Sequence, residues 1–167
     1  MRAQASEQTL PIRQFWLDTL ALDESGNLPI LELPTDFHRP NIKSYNGATY
    51  KVQLAKDLSQ KLNQLSQQNE ISLFSSLMTA VNILLKRYTD QDDIVIGTPT
   101  TGRIHQQLQD QIGFYVNTVA IRTKVNSADS FNTIAKAEHD NIQAALDHQA
   151  FPFEILVDEL ELEKNPI

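Results

Sequence analysis

The 167-residue chain contains no cysteine. That excludes a disulfide framework, a thiolate zinc site, an iron–sulfur cluster and a cysteine nucleophile together. It fits a reducing compartment, and a cytoplasmic protein is expected. Glycine is scarce as well, at five residues. No Gly-x-x-x-x-Gly-Lys-Ser/Thr, Gly-x-Gly-x-x-Gly or Gly-x-Ser-x-Gly string occurs, so a phosphate-cradling loop, a dinucleotide fingerprint and a nucleophile elbow are all missing. Basic residues are few: 14 Lys+Arg against 21 Asp+Glu give a net charge of −7. Such a chain is poorly suited to nucleic acid, where phosphate neutralisation supplies most of the affinity. No apolar run approaches the roughly 18–20 residues that cross a bilayer. The polar N-terminal residues 1–8 lack the order of a secretory signal, so no membrane partner is expected. The four histidines, His38, His105, His139 and His148, show no His-x-x-x-His spacing, and no metal site is expected. His148 follows Asp147, but consecutive helical residues do not converge. A structural or capping role near a helix end suits His148, whereas His38 and His105 suit solvated loops.

Hydrophobic residues make up 41% of the chain and charged residues 21%. This is a globular balance, and the length suits one domain. Residues 11–22 carry Phe15, Trp16, Thr19 and Leu20 at helical spacing. Three prolines and Gly47 make residues 28–47 an extended connection. Tyr50, Val52 and Leu54 alternate with Lys51 and Gln53, which predicts a half-buried strand. A helix follows from about Asp57, with Leu58, Leu62 and Leu65 on one side. Residues 72–88 form the strongest helical segment, with Ser72 placed to cap it. Leu73, Phe74, Leu77, Met78, Val81, Leu84, Leu85 and Tyr88 make a broad apolar stripe, expected to be the packed side. Ile94–Gly97 reads as a strand buried on both faces. Residues 98–113 read as a loop with helical character in its middle. Residues 116–125 read as a second long strand. Asp129 or Ser130 can cap a helix reaching about His148, with Phe131, Ile134, Ala135, Ile142, Ala145 and Leu146 as its apolar face. Pro152 suits the first turn of a short acidic helix to about Leu162. The alternation of elements predicts an α/β fold, a mixed three-stranded sheet with helices.

No complete catalytic set emerges. The loop from Gly97 to Arg103 lacks the lysine of a phosphate loop and reads as a polar exit from a strand. Asp90, Asp92 and Asp93 lack the glycine and terminal glutamate of a calcium loop and read as a solvated turn. Arg103 and Arg122 are single cations that could pair with carboxylates or touch a phosphate.

Several strings taken together nevertheless resemble the condensation domains of nonribosomal peptide synthetases. They begin with Leu31-Glu32-Leu33-Pro34-Thr35-Asp36-Phe37-His38-Arg39-Pro40. Residues 72–80 (SLFSSLMTA) and 87–99 (RYTDQDDIVIGTP) continue the match. Ile112-Gly113-Phe114-Tyr115-Val116-Asn117-Thr118-Val119-Ala120-Ile121-Arg122 is similar to the fifth core motif of the family. His148-Gln149-Ala150-Phe151-Pro152-Phe153-Glu154 resembles the sixth, with alanine where aspartate is usual. Residues 160–167 align weakly with the seventh, retaining Asn165 and Pro166.

The resemblance implies one lobe of a two-lobed, chloramphenicol acetyltransferase-like fold, truncated. Residues 1–12 would be an N-terminal extension and residues 13–167 a partial condensation domain, the C-terminal lobe without the first lobe and the closing strands. The family joins an acyl or peptidyl thioester to the amine of an aminoacyl thioester. Its His-His-x-x-x-Asp-Gly motif belongs to the first lobe, and no His-His pair occurs here. No catalytic residue is therefore expected in this chain. Gly113, Phe114, Tyr115, Asn117 and Thr118 would line the substrate tunnel between the lobes. Asn117 could offer a hydrogen bond to substrate or to the partner lobe. Arg103, Arg122, His148, Gln149, Pro152, Phe153 and Glu154 would be architectural. No cofactor is expected to bind directly; substrates would arrive on the phosphopantetheine of peptidyl carrier proteins. Implied partners are the missing lobe or other synthetase modules, with self-association through the open face as a further expectation. That face should show exposed apolar residues near Phe114 and Tyr115. Two functions follow: part of a peptide-bond-forming enzyme, or a non-catalytic module or remnant that binds carriers or a synthetase.

Overall fold

A computed structural model describes residues 9–23, 26–37 and 46–160. His38, Arg39, Pro40 and the stretch after Leu160, with Asn165 and Pro166, lie outside the described residues. Helix α1 spans Thr9–Thr19, α2 Lys56–Gln68, α3 Leu73–Thr89, α4 Phe131–Asp147 and α5 Phe153–Glu159. Strands β1 (Asp93–Thr100) and β2 (Asn117–Lys124) pair antiparallel, with Asp93 opposite Lys124 and Thr100 opposite Asn117. The fold is a mixed α/β unit around a small antiparallel sheet.

Local sequence sets the helix ends. The Ser72 side chain accepts a hydrogen bond from the Ser75 backbone at 3.0 Å, and Ser130 accepts one from the Thr133 backbone at 3.2 Å. Each hydroxyl satisfies an amide that has no partner inside its helix. Asp90 closes α3 in a left-handed conformation, φ 58°. Pro152 occupies the capping position before α5 rather than its first turn. One turn of 3-10 helix, Gln106–Leu108, stands in the middle of the loop that joins β1 to β2.

The core forms where α1, α4 and α5 close on β2. Trp16, Leu20, Val119, Ile121, Ile142, Phe151 and Leu156 are buried there. A smaller cluster joins Ile94, Val125 and Ile134. Trp16 donates its indole N–H to the His148 carbonyl at 2.9 Å, which ties α1 to the end of α4.

Four further expectations need correction. Residues 50–54 form no strand, and Tyr50, Val52 and Leu54 are exposed. Alternation makes a strand only where a neighbouring strand can accept the ladder, and the described sheet has two strands. Strand β1 is half-buried rather than buried on both faces: Ile94 is covered, while Gly97 and Pro99 are open. The turn Asp90–Asp93 is not merely solvated, because Asp92 pairs with Lys86 and Asp93 with Arg122. Lastly, α3 packs by its polar side. Ser75, Ser76, Thr79 and Asn82 are buried, while Leu73, Phe74, Leu77, Val81, Leu84 and Tyr88 are exposed; of the stripe, Met78 and Leu85 reach the core. Small side chains let α3 lie close on α4, and nothing among the described residues covers the larger apolar face.

Candidate functional site

The residues of the two most specific strings converge. They occupy the start of β2, the loop before it and the turn between α4 and α5. Asn117 opens β2, and its carboxamide reaches across to that turn. Its Nδ2 donates to the Gln149 carbonyl at 2.8 Å and the Phe151 carbonyl at 2.9 Å. Its Oδ1 accepts from the Phe153 backbone N–H at 3.2 Å. Both amide donors are thus committed inside the chain, so Asn117 clamps two elements and has no N–H left for a substrate or a partner lobe.

The turn is fastened from its other side as well. His148 ends α4, its Nδ1 lying 2.7 Å from the Ala144 carbonyl, and its ring stacks on Phe15 at 3.8 Å between centroids. Gln149 Nε2 donates to the Leu146 carbonyl at 2.9 Å. Phe153 packs against the core, while Glu154 sits exposed in the first turn of α5, where the helix dipole favours a carboxylate. Ala150, in place of the usual aspartate, is exposed.

Residues 101–116 form a loop knit through Tyr115. The Tyr115 hydroxyl donates to Gln111 Oε1 at 2.8 Å, and the Arg103 guanidinium lies over its ring at 4.5 Å. Arg103 also donates to the Leu108 carbonyl. Gly102 has φ +61°, and a β-carbon there would stand 1.7 Å from the Tyr115 carbonyl oxygen. Gly102→Ala should therefore free the loop and cost more than about 2 kcal/mol. Amide hydrogen exchange checks it: protection should fall across residues 101–116 and persist in the paired residues of β1 and β2.

This loop, β2 and the turn enclose a cleft of about 330 Å³, lined by Ile104, Leu108, Phe114, Val116, Asn117 and Ala150 among others. Ile112 is fully exposed and Phe114 is 90% exposed. Gly113 packs on the Tyr115 ring, and Thr118 stands opposite Pro99 in the sheet with its methyl group beside Gly97. Of the five residues expected along the tunnel, Phe114, Tyr115 and Asn117 reach the cleft wall.

Arg122 stands apart from the cleft. Its Nε and Nη2 grip the Asp93 carboxylate at 2.9 and 2.8 Å, and Nη1 donates to the Thr19 and Ala21 carbonyls at 3.2 and 2.7 Å. The hydrogen-bonded Asp93 carboxylate pushes the pKa of the guanidinium up, against a smaller opposing effect of burial. Sequence reasoning gave Arg122 a structural ion pair but missed its hold on the end of α1. No local string signals a contact between residues so far apart in the chain.

No group of three or more metal-binding side chains occurs among the described residues, and no helix there is long and apolar enough to cross a membrane.

The condensation domain family model matches residues 1–166. Tyrocidine synthase 3 of Brevibacillus parabrevis is 38% identical over 152 residues, covering 91% of this chain and 2% of that protein. A four-domain nonribosomal peptide synthetase bound to AMP and glycine superimposes with a TM-score of 0.89 at 22% identity, covering 99% of this chain and 12% of that one. The X-domain from teicoplanin biosynthesis gives 0.85 at 24% identity, covering 99% of this chain and 36% of that one. The chain thus spans a small part of each relative's length. With the family model matched over nearly every residue, this chain belongs to the condensation domain family.

Proposed function

We propose that the chain serves as one lobe of a peptide-bond-forming condensation enzyme within a multimodular synthetase. A lobe carrying His-His-x-x-x-Asp-Gly would supply the catalytic histidine. In that reaction the amine nitrogen of a carrier-bound aminoacyl thioester attacks the carbonyl carbon of an upstream thioester. The C–N bond forms, the C–S bond breaks, and the amine proton ends on the departing phosphopantetheine thiol. Substrates would come tethered to carrier proteins, and the setting would be the cytoplasm.

The observation that carries this reading is the bare apolar tip, Ile112 and Phe114, on a loop that Tyr115 and Gly102 hold in shape beside an open cleft. Burying such side chains is worth about 1.5–3 kcal/mol each. A pre-shaped loop loses little entropy on docking. The cleft then reads as one wall of a tunnel completed by another lobe.

A binding module without catalysis is the second reading. It is favoured by likeness to the teicoplanin X-domain, which also matches, with a TM-score of 0.84, in its complex with OxyB. Reconstitution separates the two. The chain is mixed with a separately produced His-His-x-x-x-Asp-Gly lobe and loaded carriers, and amide product is followed by mass spectrometry. Product that disappears when Ile112 and Phe114 are both changed to serine supports the enzyme. Stable association without product supports the binding module. Sedimentation of the chain alone tests whether its open face pairs with a second copy.

A further inference from the structure

Helix α3 contributes no residue to the cleft lining among the described residues, yet its outer side carries a regular pattern. Phe74, Leu77, Val81, Leu84 and Tyr88 follow one another at steps of three, four, three and four residues. That is the 3.5-residue period by which one helix meets another along a seam. All five are exposed, from 41% for Leu77 to 64% for Tyr88.

The opposite side of α3 holds this seam outward. Ser76 Oγ meets Ser66 Oγ of α2 at 2.7 Å, and Ser75 Oγ meets His139 Nδ1 of α4 at 3.0 Å. Thr79 and Asn82 complete the buried side. Rolling α3 to hide the seam would break both contacts. A cover for the seam has to come from outside the described residues.

The seam is symmetric about Val81. A second α3 laid antiparallel sets Val81 against the partner's Val81, Leu77 against the partner's Leu84 and Phe74 against the partner's Tyr88. Every seam residue then meets an apolar residue. Ala80, also exposed, stands beside the two-fold point, where a small side chain lets the helices come close. We propose that α3 is a self-pairing surface, and that two copies of this chain join through an antiparallel contact of their α3 helices centred on Val81.

The area fits a dimer. Leu73, 37% exposed, adds a sixth apolar side chain at the edge of the seam. On side chains of roughly 200 Å² apiece, these exposed fractions leave ~600 Å² on each copy, near the ~800 Å² per partner of a standard interface. Such a contact belongs at the low end of specific interfaces, so the dimer exchanges with monomer.

Charge selects the antiparallel sense. At one end of α3 stand Arg87 and Asp90, both exposed; at the other stand Glu70 and the positive end of the helix dipole. Antiparallel pairing brings Arg87 to the end that holds the partner's Glu70, and Asp90 to the partner's helix N-terminus. Parallel pairing would gather like charges at each end and lay two helix dipoles side by side in the same sense. Exposed charges of this kind set orientation more than affinity.

This surface is distinct from the loop tip at Ile112 and Phe114, and the inference does not depend on the cleft being a tunnel wall. Sedimentation velocity of the full chain, from about 1 to 100 µM, is the first test. The chain should pass from monomer to dimer across that range. Val81→Glu sets two carboxylates face to face at the centre of the contact. It should stay monomeric throughout, with an unchanged circular dichroism spectrum. The double change Ile112→Ser and Phe114→Ser should dimerise as the wild type does. Because the chain has no cysteine, orientation can be read from introduced thiols. Under mild oxidation, Phe74→Cys mixed with Tyr88→Cys should give a disulfide-linked heterodimer, identified by mass, whereas Phe74→Cys alone should not link to itself. A wild type that remains monomeric would overturn the proposal and leave the seam to a different partner. A dimer that survives Val81→Glu, or one lost on changing Ile112 and Phe114, would place the contact elsewhere and overturn it too. Self-linking of Phe74→Cys as efficient as the mixture would refute the antiparallel sense. The cross-links decide the matter even if Val81→Glu does not fold.

Discussion

Trp16→Ala should lower the unfolding free energy by about 3–5 kcal/mol, the usual cost of emptying a buried tryptophan site. Urea denaturation followed by circular dichroism measures it. Trp16 is 2% exposed at the centre of the main core, meets Phe15 edge-on at 5.1 Å, and donates to the His148 carbonyl. Its loss leaves a cavity and also frees the turn on which Asn117 hangs. Trp16→Phe should cost less, because the ring volume is largely kept and the His148 carbonyl still accepts from the Phe151 N–H at 3.3 Å. A loss below about 1 kcal/mol for Trp16→Ala would mean that α1 is not part of the cooperative unit.

Asn117→Ala should cost about 2–4 kcal/mol, because three backbone groups lose their partner together. Asn117→Asp sharpens the test. A carboxylate keeps the acceptor for the Phe153 N–H but points a second negative oxygen at the Gln149 and Phe151 carbonyls. Those two carbonyl dipoles should raise its pKa in the folded state. Asn117→Asp should then lose stability as pH climbs above about 3.9 and regain part of it in acid. Thermal melts across pH give the answer. If Asn117 served a ligand rather than the clamp, both variants would melt within the scatter of ordinary surface changes, about 0.5 kcal/mol.

The clamp shows where sequence reading reached its limit. Asn117 stands out in its string, but a string does not say what its carboxamide faces. Three backbone groups from more than thirty residues downstream satisfy it. Glu138 is the opposite case, a signal present and passed over. It falls between Ala135 and Ile142 on the apolar face of α4, where a carboxylate has no place unless it is paired or protonated.

What the sequence determined by itself is local. Helix positions follow from periodicity, and the caps at Ser72 and Ser130 follow from the hydroxyl's reach to an amide three residues on. The loop read over residues 98–113, which the structure shifts to 101–116 by carrying β1 on to Thr100 and starting β2 at Asn117, and the family itself are also legible, because they depend on residues close together in the chain. The tertiary structure alone decided which side of each element is covered. It turned α3 onto its serine and threonine side, left the 50–54 stretch unpaired, and committed Asn117 and Arg122 to backbone groups far along the chain. The physical reason is that burial depends on the neighbour as much as on the residue. An apolar stripe shows that a helix has a face to cover, and only the packed structure shows whether anything in this chain covers it.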